Sequence, residues 1–321
     1  MVGYTLGGGL GWLARKHGLA TNSVTAIEIV TADGDHVRVD HDYEPDLFWA
    51  LRGGGGSFGV VTAMEFELYP LREVYGGWLI YPFERASEVM HAWREWAPTV
   101  PDEVTSIARL LQLPPLPDIP EPLRGGSFAV IEAAYIGDES DGANLIRPLR
   151  ELGPAIDTFT TMPARALTRL HQDPEEPVPG IGDGMVLAET TADAIDALVE
   201  VSGPGSGSPL LSVELRQLGG ALARRDPAAG ALATIEGDSA MFAVGLPMTP
   251  DLGELIHARV EAIKQALAPW NSSHAYFNFA EVPADADGLF AAETYRRLCE
   301  VKARYDADEM IVSNHPIKPA R

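Results

Sequence analysis

The sequence predicts an α+β chain, an antiparallel sheet with helices on one face, and three observations lead there. Two glycine clusters near the start, Gly7-Gly8-Gly9-Leu10-Gly11 and Gly53-Gly54-Gly55-Gly56, enclose two short apolar strand patterns. From about residue 73 onward, strand and helix patterns follow one another in the order expected of such a layer. Segment 252–267 carries Leu252, Leu255, Ile256, Val260, Ile263 and Leu267 at the three-four spacing of an amphipathic helix.

In chain order, residues 12–17 read as a short helix with basic residues in its last turn, stopped by Gly18. Residues 26–30 and 36–39 read as a hairpin around Asp33-Gly34. Residues 44–51 fit a short helix with Pro45 near its start, and 60–68 alternate as a strand. Strands are then predicted over 74–81, 104–111, 128–135, 210–215 and 241–244. Helices are predicted over 86–96, 141–152, 193–201 and 289–305, with a closing tail over 306–319. The proline-rich stretches 114–120 and 173–184 read as loops, and 203–209 as a flexible link.

The chain has 321 residues, enough for one large or two medium domains. It has 46 acidic against 24 basic residues and a net charge of −22, which argues against nucleic-acid and anionic-membrane partners. Its single cysteine, Cys299, excludes an internal disulfide or a cysteine zinc site. The eight histidines are scattered without a ligand spacing, so no metal is expected. No Gly-x-Ser-x-Gly elbow is present. Without a signal-like leader or a long apolar run, the expected location is the cytoplasm.

Clustered glycines suit either tight turns or backbone that approaches a ligand such as a phosphate. The residues around them say more. GYTLGGGLGWLARKHGLA and DLFWALRGGGGSFGVVTAMEFEL, together with HAYFNF and VKARYDADEMIVSNHPIKP near the end, resemble flavin oxidases of the vanillyl-alcohol oxidase superfamily, berberine-bridge-enzyme-like branch. The resemblance implies the C-terminal half of a PCMH-type FAD-binding domain over 1–72. It implies a substrate domain over 73–273, and a closing segment over 274–321 that returns to the first domain. It also implies FAD as cofactor, a small-molecule substrate and O2 as a possible electron acceptor. The family's arginine-glycine-glycine-histidine loop and its attachment cysteine have no counterpart here, so FAD is expected to bind weakly and without a covalent bond. Met1 stands where the family often has valine, so a misassigned start is a further expectation, tested by sequencing upstream.

The family's Tyr-x-Asn-Tyr segment maps onto Tyr276-Phe277-Asn278-Phe279. Its second tyrosine is often the base, and Phe279 takes no proton. Tyr276 is therefore a candidate polar contact, or a core tyrosine with its hydroxyl satisfied. Asn278 would orient flavin or substrate, or pair with backbone. Cofactor contacts are implied at Gly3, Tyr4, Gly8, Gly9, Gly11, Gly59, Val60, Val61 and Asn314. As side chains Val60 and Val61 read rather as core residues; Asn314 reads also as a turn residue, and Tyr4 as a frayed terminus. Asn22 departs from the family's usual Asp-Asn. Glu214 and Arg216 share one face of a strand that in the family overlooks the flavin, so they are candidates to hold a polar substrate. A plain salt pair on a solvated face is the other reading.

An FAD-dependent oxidoreductase is thus the leading expectation. A relative that no longer binds FAD is the alternative. A nicotinamide turn at Gly7 to Gly11 is a third, weaker reading, because few residues precede Gly7 for a strand and the acidic residue expected further on is hard to place.

Overall fold

The computed structural model describes residues 1–117, 119–174, 176–282 and 286–321. They form two compact units, Met1–Pro70 with Gly219–Glu236 and Ser273–Arg321, and Leu71–Leu218 with Gly237–Ser272. The middle region read from the sequence as 73–273 is thus interrupted by Gly219–Glu236, which packs with the first unit.

The first unit begins with α1 (Val2–Leu6) and α2 (Ala14–His17), followed by β1 (Val24–Val30) and β2 (His36–Val39). The two strands pair antiparallel with Ile29 opposite Val37. Gly34, at φ 85°, makes the turn between them. Pro45 opens α3 (Pro45–Leu51), and β3 (Val60–Phe66) pairs with β1 to complete the order β2-β1-β3. Alternate residues of β1 point inward, so Ile27 and Ile29 are buried with Leu47, Phe48, Leu51 and Phe58.

The second unit contains β4 (Glu73–Pro82), α4 (Ala86–Trp96), β5 (Val104–Gln112), β6 (Ser127–Tyr135) and α5 (Glu139–Arg150). Two short strands follow, β7 (Ile156–Asp157) and β8 (Thr160–Pro163), both paired with β4. Next come β9 (Ile181–Leu187), α6 (Ala192–Ser202), β10 (Ser212–Gln217), β11 (Ser239–Gly245) and α7 (Pro250–Leu267). The eight-stranded sheet runs β7-β4-β6-β5-β10-β11-β9, with β8 off this path on β4, and its ladders are antiparallel.

Period-two alternation divides this sheet into two faces. Leu79, Ala108, Ile131, Leu215 and Met241 join one core with Trp93 of α4, Ile146 of α5, Ile195 of α6 and Val260 of α7. The other face carries Trp78, Arg109, Glu132, Glu214 and Arg216, with Glu214 opposite Arg109 and Trp78 opposite Glu132. The loop expected over 173–184 is corrected at its end. Ile181–Leu187 is strand β9, because its residues pair with β11 despite two glycines that weaken any strand pattern. Position 175 of that stretch and position 118 of the other expected loop lie outside the described residues.

The closing segment of the first unit holds α8 (Ala292–Tyr305), whose Leu298 and Val301 are buried in the first unit's core. Lys302, also buried, bonds Asp306 and donates to the Ser57 carbonyl at 2.6 Å, so one ammonium ties the tail to the end of the second glycine run. Among the described residues no helix is long and apolar enough to cross a membrane.

Candidate functional site

In the first unit, Tyr276 reaches the first glycine run. Its phenol oxygen accepts the Leu10 amide at 2.9 Å, the Gly9 amide at 3.1 Å and Asn278 Nδ2 at 3.2 Å. Asn278 Nδ2 also donates to the Tyr4 carbonyl at 2.8 Å. Burial pushes the Tyr276 phenol above its ordinary range, Tyr4 adds to this, and the donated hydrogen bonds oppose it. Phe279 stacks edge-on against Tyr276 at 5.1 Å. The predicted residues Tyr4, Gly8, Gly9, Gly11, Tyr276 and Asn278 are therefore brought together.

The glycines allow this contact. Gly9 has φ 83°, and a Cβ there would lie 2.7 Å from the Tyr4 ring and from Ala20. The run is packed against side chains, and four of its amides are taken: Gly7 donates to Gly3, Gly8 to Thr5, and Gly9 and Leu10 to Tyr276. In the second run Gly53, Gly54 and Gly55 donate to Leu51, Ala50 and Leu6. Close packing, rather than a bare nest of amides, is what these glycines serve in this structure.

Gly3 is exposed on α1, and a Cβ at Gly59 would meet the Val30 carbonyl at 2.5 Å. Val60 starts β3 with 61% of its surface exposed, so it is not a core residue; Val61 is half-buried. Asn314 is exposed in the closing tail, between Ser313, which bonds Ser57, and the buried His315. Tyr4 is partly exposed and belongs to α1, not to a frayed end.

The second unit holds a denser cluster on the sheet face opposite its helices. Glu214 and Arg216 are paired at 2.6 Å, yet Glu214 is buried, so this is no solvated surface pair. His171 stands between two carboxylates, with Nδ1 2.7 Å from Glu132 and Nε2 3.0 Å from Glu214. Arg109 donates to Glu132 at 2.8 Å and to Ser212 at 2.9 Å, and lies over the Trp78 ring at 5.6 Å. The segment bearing His171 is fixed to the sheet by Trp78 Nε1, which donates to the Leu170 carbonyl, and by Arg109, which donates to the His171 carbonyl. A cavity of about 550 Å³ is lined by Thr168, Arg169, Gln172, Asp173 and Pro174 of the same segment.

The charges set one another. Burial disfavours the His171 cation, but the charge and hydrogen bond of Glu132, then of Glu214, outweigh it and raise its pKa to about 9. Burial likewise disfavours the Glu214 anion, but Arg216, His171 and Arg109 hold it well below the usual carboxylate range. At neutral pH the cluster holds an imidazolium between two carboxylates, a proton poised where it can be passed on.

Sequence reasoning found Glu214 and Arg216 and missed Arg109, Glu132 and His171. A charged residue in the middle of the apolar runs 104–111 and 128–135 was the available signal for the first two. Nothing marked His171 among the eight histidines, because the contacts that distinguish it come from three separate strands.

No protein-family model matches the chain. It is 28% identical over 99% of its length to (R)-6-hydroxynicotine oxidase of Paenarthrobacter nicotinovorans, covering 70% of that protein. It is 40% identical to the uncharacterized FAD-linked oxidoreductase YgaK of Bacillus subtilis, over 33% of this chain and 25% of that protein. In fold it is similar to BBE-like 1 of Physcomitrella patens, with a TM-score of 0.82 at 16% identity, covering 100% of this chain and 70% of that one. In sequence the chain is similar along its length to FAD-linked oxidoreductases, and its fold is similar to that of berberine-bridge-enzyme-like proteins.

Proposed function

We propose that the chain is an FAD-dependent oxidoreductase acting on a small polar substrate, an alcohol, sugar or amine. The observation that carries this reading is the similarity, over 99% of the chain, to a protein named as an oxidase. When bound, FAD supplies the acceptor for a hydride from a carbon bearing O–H or N–H and hands the electrons to O2.

The residues of the first unit fit a polar ligand. Thr21 Oγ1, Asn22 Oδ1 and Arg52 Nε are buried without a hydrogen-bond partner. Thr21 donates its amide to Gly8, and Arg52 immediately precedes Gly53, so these atoms border the two glycine runs. Such orphaned atoms call for an acceptor or donor from outside the chain. Tyr4, Gly8, Gly9, Gly11, Val60, Val61 and Asn314 remain the proposed contacts, with Gly3 and Gly59 supporting the backbone beside them. The bond to FAD is proposed to be non-covalent. Cys299 is half-buried on α8, burial pushes its thiol pKa up, and a thiol so shifted is a poor nucleophile.

The substrate's O–H or N–H proton needs an acceptor, and Phe279 offers none. In this reading Glu214 and Arg216 hold the substrate and the His171 cluster takes its proton. Glu214 is too firmly ionised to be an efficient base, whereas His171 becomes able to accept a proton as pH approaches about 9. Oxygen uptake by the FAD-supplemented chain, screened on alcohols, sugars and amines, tests the reading. Turnover of at least one class, rising with pH towards about 9 and lost in Glu214→Gln, is expected. No turnover of any class by a flavin-loaded chain would oppose it.

A further inference from the structure

His171 meets its two carboxylates on unequal terms. Glu132 Oε2 lies 2.7 Å from Nδ1, whereas Glu214 Oε2 lies 3.0 Å from Nε2. Glu132 is fully buried on β6, and its other oxygen accepts from Arg109 of β5 at 2.8 Å. Arg109 is fixed in turn by Ser212 at 2.9 Å and by the Trp78 ring. Its Nη1 also comes within 3.5 Å of Nδ1, but its bonds to Glu132 and to the His171 carbonyl at 3.3 Å are shorter, so it leaves the ring nitrogen to Glu132. On the Nε2 side, Glu214 is shared with Arg216 of the same strand at 2.6 Å. Asp173, from the segment that carries His171, stands 3.9 Å from Nε2 with its side chain 74% exposed. One ring nitrogen therefore faces the sheet interior, and the other faces the side from which solvent is reached.

A neutral imidazole keeps one N–H, and the hydrogen bond made by one nitrogen decides the role of the other. The shorter bond, to a carboxylate held by a fixed guanidinium, is at Nδ1. We propose that Glu132 is a positioning residue: it retains the Nδ1 proton of His171, so that Nε2 is the nitrogen that takes up and releases protons. This rests on the reading of the His171 cluster as the proton acceptor. In that reading the substrate O–H or N–H bond breaks, its electron pair stays on the oxygen or nitrogen, and the proton passes to Nε2. From Nε2 it leaves past Asp173 to water.

The test labels the histidines of the full chain with nitrogen-15 and follows both ring nitrogens by NMR from neutral pH to above the His171 midpoint at about 9. The signals lost in His171→Gln identify the residue among the eight histidines. Above the midpoint, Nδ1 should stay protonated and Nε2 should become the bare nitrogen. Glu132→Gln should lower the midpoint by roughly one unit or more, a tenfold or greater loss of proton affinity, and Glu132→Asp should return most of it. A proton retained on Nε2 in the parent, or an unmoved midpoint in Glu132→Gln, overturns the proposal. If Glu132→Gln fails to fold, the parent and Glu214→Gln decide it, since Nδ1 should keep the proton in both.

These spectra need neither flavin nor substrate, so they separate this assignment from the proposed oxidation. In the FAD-loaded chain the alkaline rise of kcat should move down in pH with the His171 midpoint in Glu132→Gln. Absence of turnover with Nδ1 protonated would sink the oxidation and leave the Glu132 assignment standing, and turnover with Nε2 protonated would do the reverse.

Discussion

His171 links the stability of the second unit to pH. Its pKa is raised from 6.5 to about 9 by Glu132 and Glu214, so the folded chain holds this proton more tightly than the unfolded chain. The resulting stabilisation is fully present below about pH 6.5 and is lost as pH rises through about 9. The shift corresponds to about 3 kcal/mol, nearly all of it lost between about pH 6.5 and 9.5. Urea unfolding at several pH values, on the parent and on His171→Gln, measures it. Most other perturbed groups act outside this window: His17 is shifted downward by burial and Lys16, while Tyr81, Tyr276 and Tyr305 are shifted upward from 10.0. Subtracting the variant's curve removes these, together with any contribution from Cys299. A difference of about 3 kcal/mol that fades toward pH 9.5 is expected. Parallel curves for parent and variant would refute the claim that His171 is an imidazolium held between two carboxylates.

Two further variants probe the first unit. Tyr276→Phe removes the oxygen that accepts the Gly9 and Leu10 amides, leaving two buried donors unmet, and should destabilise by on the order of 2–4 kcal/mol in urea unfolding. Lys302→Met strands the buried Asp306 and the Ser57 carbonyl and should cost about 3–5 kcal/mol, whereas Lys302→Met with Asp306→Leu should recover most of the loss. A double variant no better than the single one would mean that the pair is not the interaction being measured.

Much of the fold was legible because its signals are local. Pro45 and Gly53 bracket α3, Asp33-Gly34 sets the first hairpin, and the Leu252-to-Leu267 spacing marks α7. β7 and β8 were not legible, because strands of two and four residues are defined by their pairing with β4 rather than by any pattern of their own. β9 was hidden by Gly182 and Gly184, which pack against β11. Nothing local separates Gly219–Glu236 from its neighbours, since its place follows from Ala231 and Leu232 bonding to α3 and Arg52. For the candidate site, Tyr276, Asn278, Glu214 and Arg216 came from a resemblance and from strand alternation. The cluster around His171 depends on which strands lie side by side, and only the sheet order β6-β5-β10 brings Glu132, Arg109 and Glu214 together. The glycine runs carried the reverse lesson. Their composition suggests open backbone donors, yet Tyr276 and neighbouring carbonyls take most of those donors once the chain is folded.

The central claim is that this chain takes FAD as a non-covalent cofactor. Titrating it with FAD while following flavin fluorescence tests this most directly, with acid precipitation afterwards to see whether the flavin stays with the protein. The account predicts a saturable change at one flavin per chain, with all of the flavin released into the soluble fraction. Flavin fluorescence unchanged up to about 100 µM chain, a limit near −5.5 kcal/mol of binding, would contradict it.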